Sequence, residues 1–182
     1  IEGDDCGWTV TYTFTVEDAC GNELTGQTIE HSGRDQTAPT GTAPAGTTNI
    51  NACFIDATTL PTGTPSFDAI AAASGYTDNC GGSVTATLTG TLIEGDDCGW
   101  TVTYTFTVED ACGNELTGQT IEHSGRDQTA PEFTVPSDIT ICRDATCGYD
   151  ASLSNTNDVE DERDNCSVGI EAFPTDDLTN LS

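Results

Sequence analysis

The chain contains no lysine and no methionine, and its four basic residues, all arginines, face 31 acidic residues. The net charge of -27 disfavours a nucleic-acid partner, because phosphate recognition depends on clustered lysine and arginine. The same charge disfavours docking on an anionic membrane, and no apolar run is long enough to span one. We therefore expect no nucleic-acid partner and no membrane insertion by this segment.

Catalytic motifs and zinc-binding motifs are also missing. The chain has no CxxC pair, and its two histidines, His31 and His123, occupy one duplicated position that we predict to lie on the surface of the last strand. No Ser-His-Asp or Cys-His arrangement has a motif around it, and no pair of acids stands out as a glycosidase pair. We expect that the protein is not an enzyme.

Cysteine, by contrast, is abundant. Nine cysteines in a small acidic chain without zinc-type spacing predict disulfides and an oxidising, extracellular compartment. Because the number is odd, at least one thiol is either free or bonded outside this chain.

An exact internal repeat organises the chain. Residues 1–39 recur without a single change at residues 93–131, which indicates a tandem array with a period of 92 residues. We place the repeat boundaries after Pro39 and Pro131, and we expect the chain to be a segment of a longer array. The predicted domains are the C-terminal half of one repeat, a complete repeat and the N-terminal part of a third, at residues 1–39, 40–131 and 132–182.

The complete repeat has strong strand patterns. Large apolar residues alternate with threonine at residues 99–108 and again at 84–92, which predicts strands with one buried and one wet face. Turn residues at 94–97 join the two strands into an antiparallel hairpin. Short strands with frequent turn signals predict a β-sandwich. The remaining strands are predicted at residues 116–123, 47–54 and part of 66–76, with a helical turn at 67–73 as the alternative.

The hairpin also suggests how the cysteines pair. Cys98 and Cys112 flank a strand of about 14 residues, which holds them roughly 45 Å apart, whereas bridged Cα atoms lie within about 7 Å. These two cysteines therefore cannot bond to each other. A hairpin centred on the predicted turn brings Cys80 within reach of Cys112, which leaves Cys53 for Cys98. The partners of the other five cysteines stay open: Cys6, Cys20, Cys142, Cys147 and Cys166.

Three separated motifs resemble the hyalin-type repeat, an immunoglobulin-like extracellular module. They are TDNCGG at residues 77–82, VTYTFTVEDACGN at 102–114 and DQTAP at 127–131. This cysteine-containing version is similar to tandem repeats of very large surface adhesins in gliding bacteria of the Bacteroidetes type. The resemblance covers the second half of the complete repeat and its linker.

The resemblance implies an all-β fold of tandem immunoglobulin-like β-sandwich repeats, stapled by disulfides. It further implies the stalk or shaft of a secreted adhesin or filament at the cell surface, with neighbouring repeats as partners. It supplies no catalytic residues.

In an immunoglobulin-like fold, several acidic loops would lie near one end of the domain. The oxygen ligands of Asp35, Asp78, Glu109 and Asp110 would suit calcium, which accepts six to eight oxygens. An ion at each junction would stiffen the array and offset carboxylate repulsion. The alternative is that these acids are solvated turn residues, since no EF-hand pattern is present. A competing function is an extracellular module that binds a glycan or protein ligand through these loops, with or without calcium.

Overall fold

A computed structural model describes residues 1–55, 59–138, 140, 145 and 159–172. Almost all regular structure in these residues is β-strand, with one short helix among them, so the prediction of an all-β chain is confirmed. The elements in chain order are β1 (Glu2–Asp4), β2 (Gly7–Glu17), β3 (Glu23–Gly33), β4 (Thr40–Gly41), β5 (Ile50–Asn51), α1 (Ala69–Ala73), β6 (Tyr76–Thr77), β7 (Thr85–Asp96), β8 (Gly99–Glu109), β9 (Glu115–Arg126), β10 (Glu132–Thr134) and β11 (Glu160–Arg163).

The described strands form four sheets. The first copy of the duplicated sequence gives a three-stranded sheet in the order β1-β2-β3, and the second copy lies in a four-stranded sheet in the order β5-β9-β8-β7. Two small sheets pair β4 with β6 and β10 with β11. The short strand β5 runs parallel to β9, whereas the pairs within the first copy are antiparallel.

The period of two in β8 has the predicted consequence. Every second residue of this strand is buried, while the threonines between them are only half-buried. Strand β9 covers the predicted segment at residues 116–123. In the segment at 66–76, the helical alternative forms α1, which the carboxylate of Asp68 caps by accepting hydrogen bonds from the N–H groups of Ile70 and Ala71.

The predicted position of the hairpin turn is wrong. Strand β7 continues to Asp96 and β8 begins at Gly99, so the turn consists of Asp97 and Cys98. The Asp96 carboxylate accepts a hydrogen bond from the Cys98 N–H at 2.9 Å, which fixes a tight Asx turn there. Gly95 remains in the strand because its φ of 114° lets the backbone pass Gly99 at a point where a Cβ would overlap the carbonyl oxygen. The register used to predict the cysteine pairs was therefore displaced.

The chain divides into two compact units. The first comprises Ile1–Thr48, Pro65–Ile93 and Thr101–His123. Within it Phe106 lies at the centre of an aromatic cluster, 6.2 Å from the ring of Tyr76 and 5.5 Å from that of Phe67. The buried core of this unit consists of Ala72, Tyr76, Ala86, Phe106, Val108 and Ile121.

His123 belongs to this first unit, and its predicted surface position is wrong. The residue is buried, and its Nδ1 accepts a hydrogen bond from the Thr47 N–H at 2.9 Å. Burial lowers the pKa of His123, because the charged imidazolium loses hydration. Its copy, His31, is exposed.

The second compact unit comprises Asn49–Thr64, Glu94–Trp100 and Ser124–Ser182, of which the structure describes the ranges given above. Trp100 is fully buried in this unit and donates a hydrogen bond from Nε1 to the Ala52 carbonyl at 3.0 Å. Gly125 lies against the Trp100 ring, and a Cβ at this position would overlap the ring. The burial of Trp100 agrees with the buried face that the alternation at residues 99–108 predicts.

Candidate functional site

Two disulfides connect residues far apart in sequence within the described part of the chain. Cys6 bonds to Cys112 with a Cα–Cα distance of 4.8 Å, and Cys53 bonds to Cys166 at 5.1 Å. The predicted pairs, Cys53 with Cys98 and Cys80 with Cys112, are therefore wrong. Both lie within residues 40–131, whereas each observed bond joins a cysteine of this range to one outside it. Cys80 and Cys98 are free and exposed, as is Cys20. Cys142 and Cys147 lie outside the described residues.

Each disulfide joins cysteines on opposite sides of a predicted repeat boundary. The first joins residues 1–39 to residues 40–131, and the second joins residues 40–131 to residues 132–182. The bonds close loops with sequence separations of 106 and 113 residues. By the loop-entropy estimate, a loop of this size stabilises the folded state by about 4 to 5 kcal/mol.

A recurrent local turn positions most of the described cysteines. In the sequence pattern Asp-x-Cys, the aspartate carboxylate accepts a hydrogen bond from the cysteine N–H two residues later, at distances between 2.8 and 3.0 Å. This Asx geometry holds the cysteine at the tip of a tight turn. The cysteines presented in this way are Cys6, Cys20, Cys80, Cys98, Cys112 and Cys166. Cys53 follows an asparagine instead of an aspartate at the same spacing.

The loop that follows β8 adds further hydrogen bonds to this turn, and the loop that follows β2 has the same set at Asp18. Asp110 is buried, and its carboxylate accepts from the backbone N–H groups of Cys112 and Asn114 and from Asn114 Nδ2, each at 2.8 Å. Gly113 takes the left-handed conformation that closes the loop. Desolvation acts to raise the pKa of Asp110, but the hydrogen bonds from Asn114, Cys112 and Gly113 outweigh it and leave this pKa below its ordinary value.

An acidic group in the first compact unit contains two of the predicted calcium ligands. Ligand atoms of Asp35, Asp78 and Cys80 all lie within 4.8 Å of one another. Asp35 is buried, and it accepts hydrogen bonds from the Thr37 N–H at 3.1 Å and from Asn114 Nδ2 at 3.4 Å. Desolvation raises the pKa of the Cys80 thiol, and the nearby carboxylates, with Asp35 first among them, raise it further.

A second group in the other compact unit has the same composition. Ligand atoms of Asp127, Asp164 and Cys166 also lie within 4.8 Å of one another. Asp127 is the copy of Asp35 in the duplicated sequence, and Asp164 and Cys166 repeat the Asp-Asn-Cys pattern of the first group. In this second group the cysteine forms a disulfide. The group was missed from the sequence, although the shared Asp-Asn-Cys spacing was a signal for it.

The structure brings the predicted ligands together only in part. Asp110 is connected to Asp35 through the side chain of Asn114, which donates to both carboxylates. Glu109 is exposed at the end of β8 and does not belong to either acidic group in the described part of the chain.

The donor set in the first group is suited to a hard cation, with carboxylate oxygens at its centre. Asp78 Oδ2 accepts from the Cys80 N–H at 2.9 Å, whereas Asp78 Oδ1 is buried without a hydrogen-bond partner. An unpaired buried carboxylate oxygen is costly unless a cation or another donor contacts it. The Cys80 thiol, in contrast, is a poor calcium ligand, because calcium prefers oxygen.

The two disulfides indicate a non-reducing, extracellular environment. Among the residues that the structure describes, no helix has the length and apolar character needed to cross a bilayer. Comparison with known proteins gives no match to a family model, to a curated protein or to a solved structure.

Proposed function

We propose that the chain is a structural segment of a tandem array of immunoglobulin-like repeats, which forms the shaft of a secreted bacterial surface adhesin or filament. The observation that carries this proposal is the placement of the two disulfides. Each one connects residues on opposite sides of a predicted repeat boundary, as expected for a load-bearing chain whose consecutive repeats are covalently stapled. The role is mechanical and requires no catalytic residue.

The sequence gives further support. The duplicated block and the three motifs that resemble the hyalin-type repeat favour a serial architecture with neighbouring repeats as partners. The charge of -27 favours solubility of an extended surface, because like charges keep neighbouring molecules apart. Location at the cell surface is part of this proposal.

Small-angle X-ray scattering on chains with increasing numbers of the repeat tests the proposal. A shaft should gain a constant increment of maximum dimension with each added repeat, while its cross-sectional radius stays the same. A maximum dimension that stops growing as repeats are added would contradict a shaft and favour a compact assembly.

A second candidate function is calcium-dependent recognition of a glycan or protein ligand by the acidic loops. The observation that favours it is the buried and unpaired Oδ1 of Asp78, beside the carboxylate of Asp35. Asp35 and Asp78 would hold the ion, and Asn114 would orient Asp35 through its hydrogen bond. In this case calcium should raise the melting temperature of the chain, and Asp78→Asn should abolish the rise. The matched control is Asp18→Asn, because Asp18 lies in the same kind of Asp-x-Cys turn as Asp78 but outside the acidic group. Glycan-array binding that needs calcium would then favour a ligand-binding module over a shaft.

A further inference from the structure

The duplicated sequence contains two cysteines in each copy, and one of the two is bonded in each. In the first copy Cys6 is bonded and Cys20 is free, while in the second copy Cys112 is bonded and Cys98 is free. The observed bond joins the Asp-Asp-Cys turn of the first copy to the Asp-Ala-Cys loop of the second. Because the copies are identical in sequence, each free cysteine lies in the equivalent segment of the other copy. Cys98 lies in an Asp-Asp-Cys turn and Cys20 in an Asp-Ala-Cys loop.

Both free cysteines already have the local conformation of their bonded copies. The Cys20 N–H donates to Asp18 at 2.9 Å, as the Cys112 N–H donates to Asp110 at 2.8 Å. Asn22 closes the Asp18 loop with the same side-chain hydrogen bond, at 2.7 Å. The loop around Cys20 is therefore formed without a disulfide partner.

The turn that carries Cys98 also repeats the bonded arrangement. The Asp127 N–H donates to the Asp97 carbonyl at 2.8 Å, which is the distance between the Asp35 N–H and the Asp5 carbonyl in the first copy. At the bonded pair, Asn114 of the loop donates to Asp35 beside the turn. Asp127, the copy of Asp35, lies in the linker beside Cys98 and offers the same carboxylate acceptor, and Cys98 is exposed.

The sheet that carries Cys20 leaves an apolar face uncovered. Phe14 and Val16 are 39% and 56% exposed, whereas their copies Phe106 and Val108 are fully buried. The cover over the second copy includes Tyr76 and other residues from the first half of the repeat. The structure thus shows what fits this face: the first half of another copy of the repeat.

We infer that Cys98 and Cys20 are the two half-sites of a disulfide that joins this chain to a second copy of its repeat. Cys98 bonds to the Cys20-type loop of the following copy, and Cys20 bonds to the Cys98-type turn of the preceding copy. The inference rests on the proposed tandem array and names its partner and its covalent chemistry. Cys80 repeats the Asp-Asn-Cys pattern of Cys166, which is bonded to Cys53, so in the array Cys80 takes a Cys53-type partner.

The bond requires an oxidant, which is a low-molecular-weight disulfide such as oxidised glutathione. The Cys98 thiolate attacks one glutathione sulfur, forms a mixed disulfide and releases a glutathione thiolate. The Cys20 thiolate of the second copy then attacks the Cys98 sulfur and displaces the second glutathione. Two thiols lose two protons and two electrons, and one glutathione disulfide becomes two glutathione thiols.

Complementary variants of the full chain test the inference. All chains carry Cys80→Ser, which removes the third exposed thiol of the described residues, and one set adds Cys98→Ser while another adds Cys20→Ser. Each is incubated in a glutathione redox buffer and separated on non-reducing gels. The Cys80→Ser chain should form a ladder of covalent oligomers, and either double variant alone should give at least ten-fold less dimer. An equimolar mixture of the two double variants should form dimers and no larger species.

Isotope labelling identifies the bond in the mixture. The chain that retains Cys20 is labelled with ¹⁵N, so that the cross-linked peptide should contain a heavy Cys20 peptide and a light Cys98 peptide. Equal dimer yields from each variant alone and from the mixture, or a cross-link at other cysteines, would overturn the inference. If no cross-link forms but the maximum dimension grows by a constant increment per repeat, the disulfide inference is overturned and the proposed shaft stands. If the cross-link forms without that increment, the proposed shaft is overturned and the Cys98–Cys20 disulfide stands.

Discussion

Residues 1–39 and residues 93–131 have the same sequence and nearly the same local structure, but they differ in burial. Both form a turn, a long strand, an acidic cysteine loop and a second long strand. In the second copy the apolar row of β8 is buried, whereas in the first copy the same row on β2 is largely exposed.

The difference separates what local sequence determines from what packing determines. Alternation of threonine with large apolar residues is sufficient for the strand, and the Asp-x-Cys pattern is sufficient for the turn, since both copies form them. Burial of the apolar row needs residues 40–92, which supply Tyr76, Ala72 and Ala86. Residues 40–92 therefore supply the cover that the second copy has and the first copy lacks, and matched substitutions in the two copies measure its contribution.

The largest difference is expected for truncation of the central phenylalanine. Phe106→Ala should lower the free energy of unfolding by about 3 to 5 kcal/mol, because it leaves a cavity among Tyr76 and Phe67. Phe14→Ala, at the same place in the first copy, should cost less than about 1 kcal/mol. Urea unfolding followed by circular dichroism measures both, and equal losses would show that the two copies are equally covered in solution.

Removal of the disulfide cysteine should have the next largest effect. Cys112→Ser should lower the free energy of unfolding by about 2 to 5 kcal/mol, because the unfolded chain regains the entropy of a long loop. Cys20→Ser changes the free copy of the same residue and should leave the stability of the isolated chain unchanged. Thermal unfolding without reductant compares the variants, and adding reductant should abolish the difference between them.

A smaller effect is expected from adding a methyl group beside each tryptophan. A Cβ on Gly125 would lie 2.7 Å from Trp100 Cη2, and the buried ring has no room to move, so Gly125→Ala should cost about 1 to 3 kcal/mol. A Cβ on Gly33 would also overlap the Trp8 ring, but that ring is 38% exposed and can rotate outward. A Cβ on Gly125 would in addition lie 2.5 Å from the Ile50 carbonyl oxygen, a backbone atom that cannot rotate away. Chemical unfolding should therefore show a clearly smaller loss for Gly33→Ala. A larger loss in the first copy would contradict the difference in packing.

The smallest effect concerns protonation of the buried histidine. Because burial lowers the folded-state pKa of His123, the unfolded state binds a proton first as the pH falls. The contribution of neutral His123 to the free energy of unfolding is fully present above the unfolded-state pKa of about 6.5. It is lost as the pH falls from there through the lower folded-state pKa. In a His31→Gln chain, His123 is the only histidine, and its ring resonances in an NMR titration should give a pKa below the ordinary value. A value at or above the ordinary one would contradict its burial.

Much of the fold could be predicted from the sequence, because its strongest signals are local. The alternation in β8 and the buried position of Trp100 follow directly from a period of two. The exact turn residues could not be predicted from this alternation. Gly95 has a positive φ and remains in β7, so the turn lies at Asp97 and Cys98.

The candidate site was less predictable, because its partners are far apart in sequence. The clustering of Asp35 with Asp78 was anticipated, but the equivalent group at Asp127 and Asp164 was not. Bonds from Cys6 and Cys53 across the predicted repeat boundaries depend on packing between residues far apart in sequence, which no local pattern determines. The Asp-Asn-Cys pattern shared by Cys80 and Cys166 was the available signal for the second acidic group.

The most direct test of the account is a disulfide map of a chain that carries Cys20→Ser and Cys98→Ser. These changes remove the ambiguity between identical peptides, so proteolysis without reduction followed by mass spectrometry assigns each bond. We expect one cross-linked peptide that joins Cys6 to Cys112 and another that joins Cys53 to Cys166, both within a monomer. A bond between Cys80 and Cys112, together with a Cys53 that becomes free when Cys98 is replaced, would show that the disulfides stay within one repeat and would contradict the account.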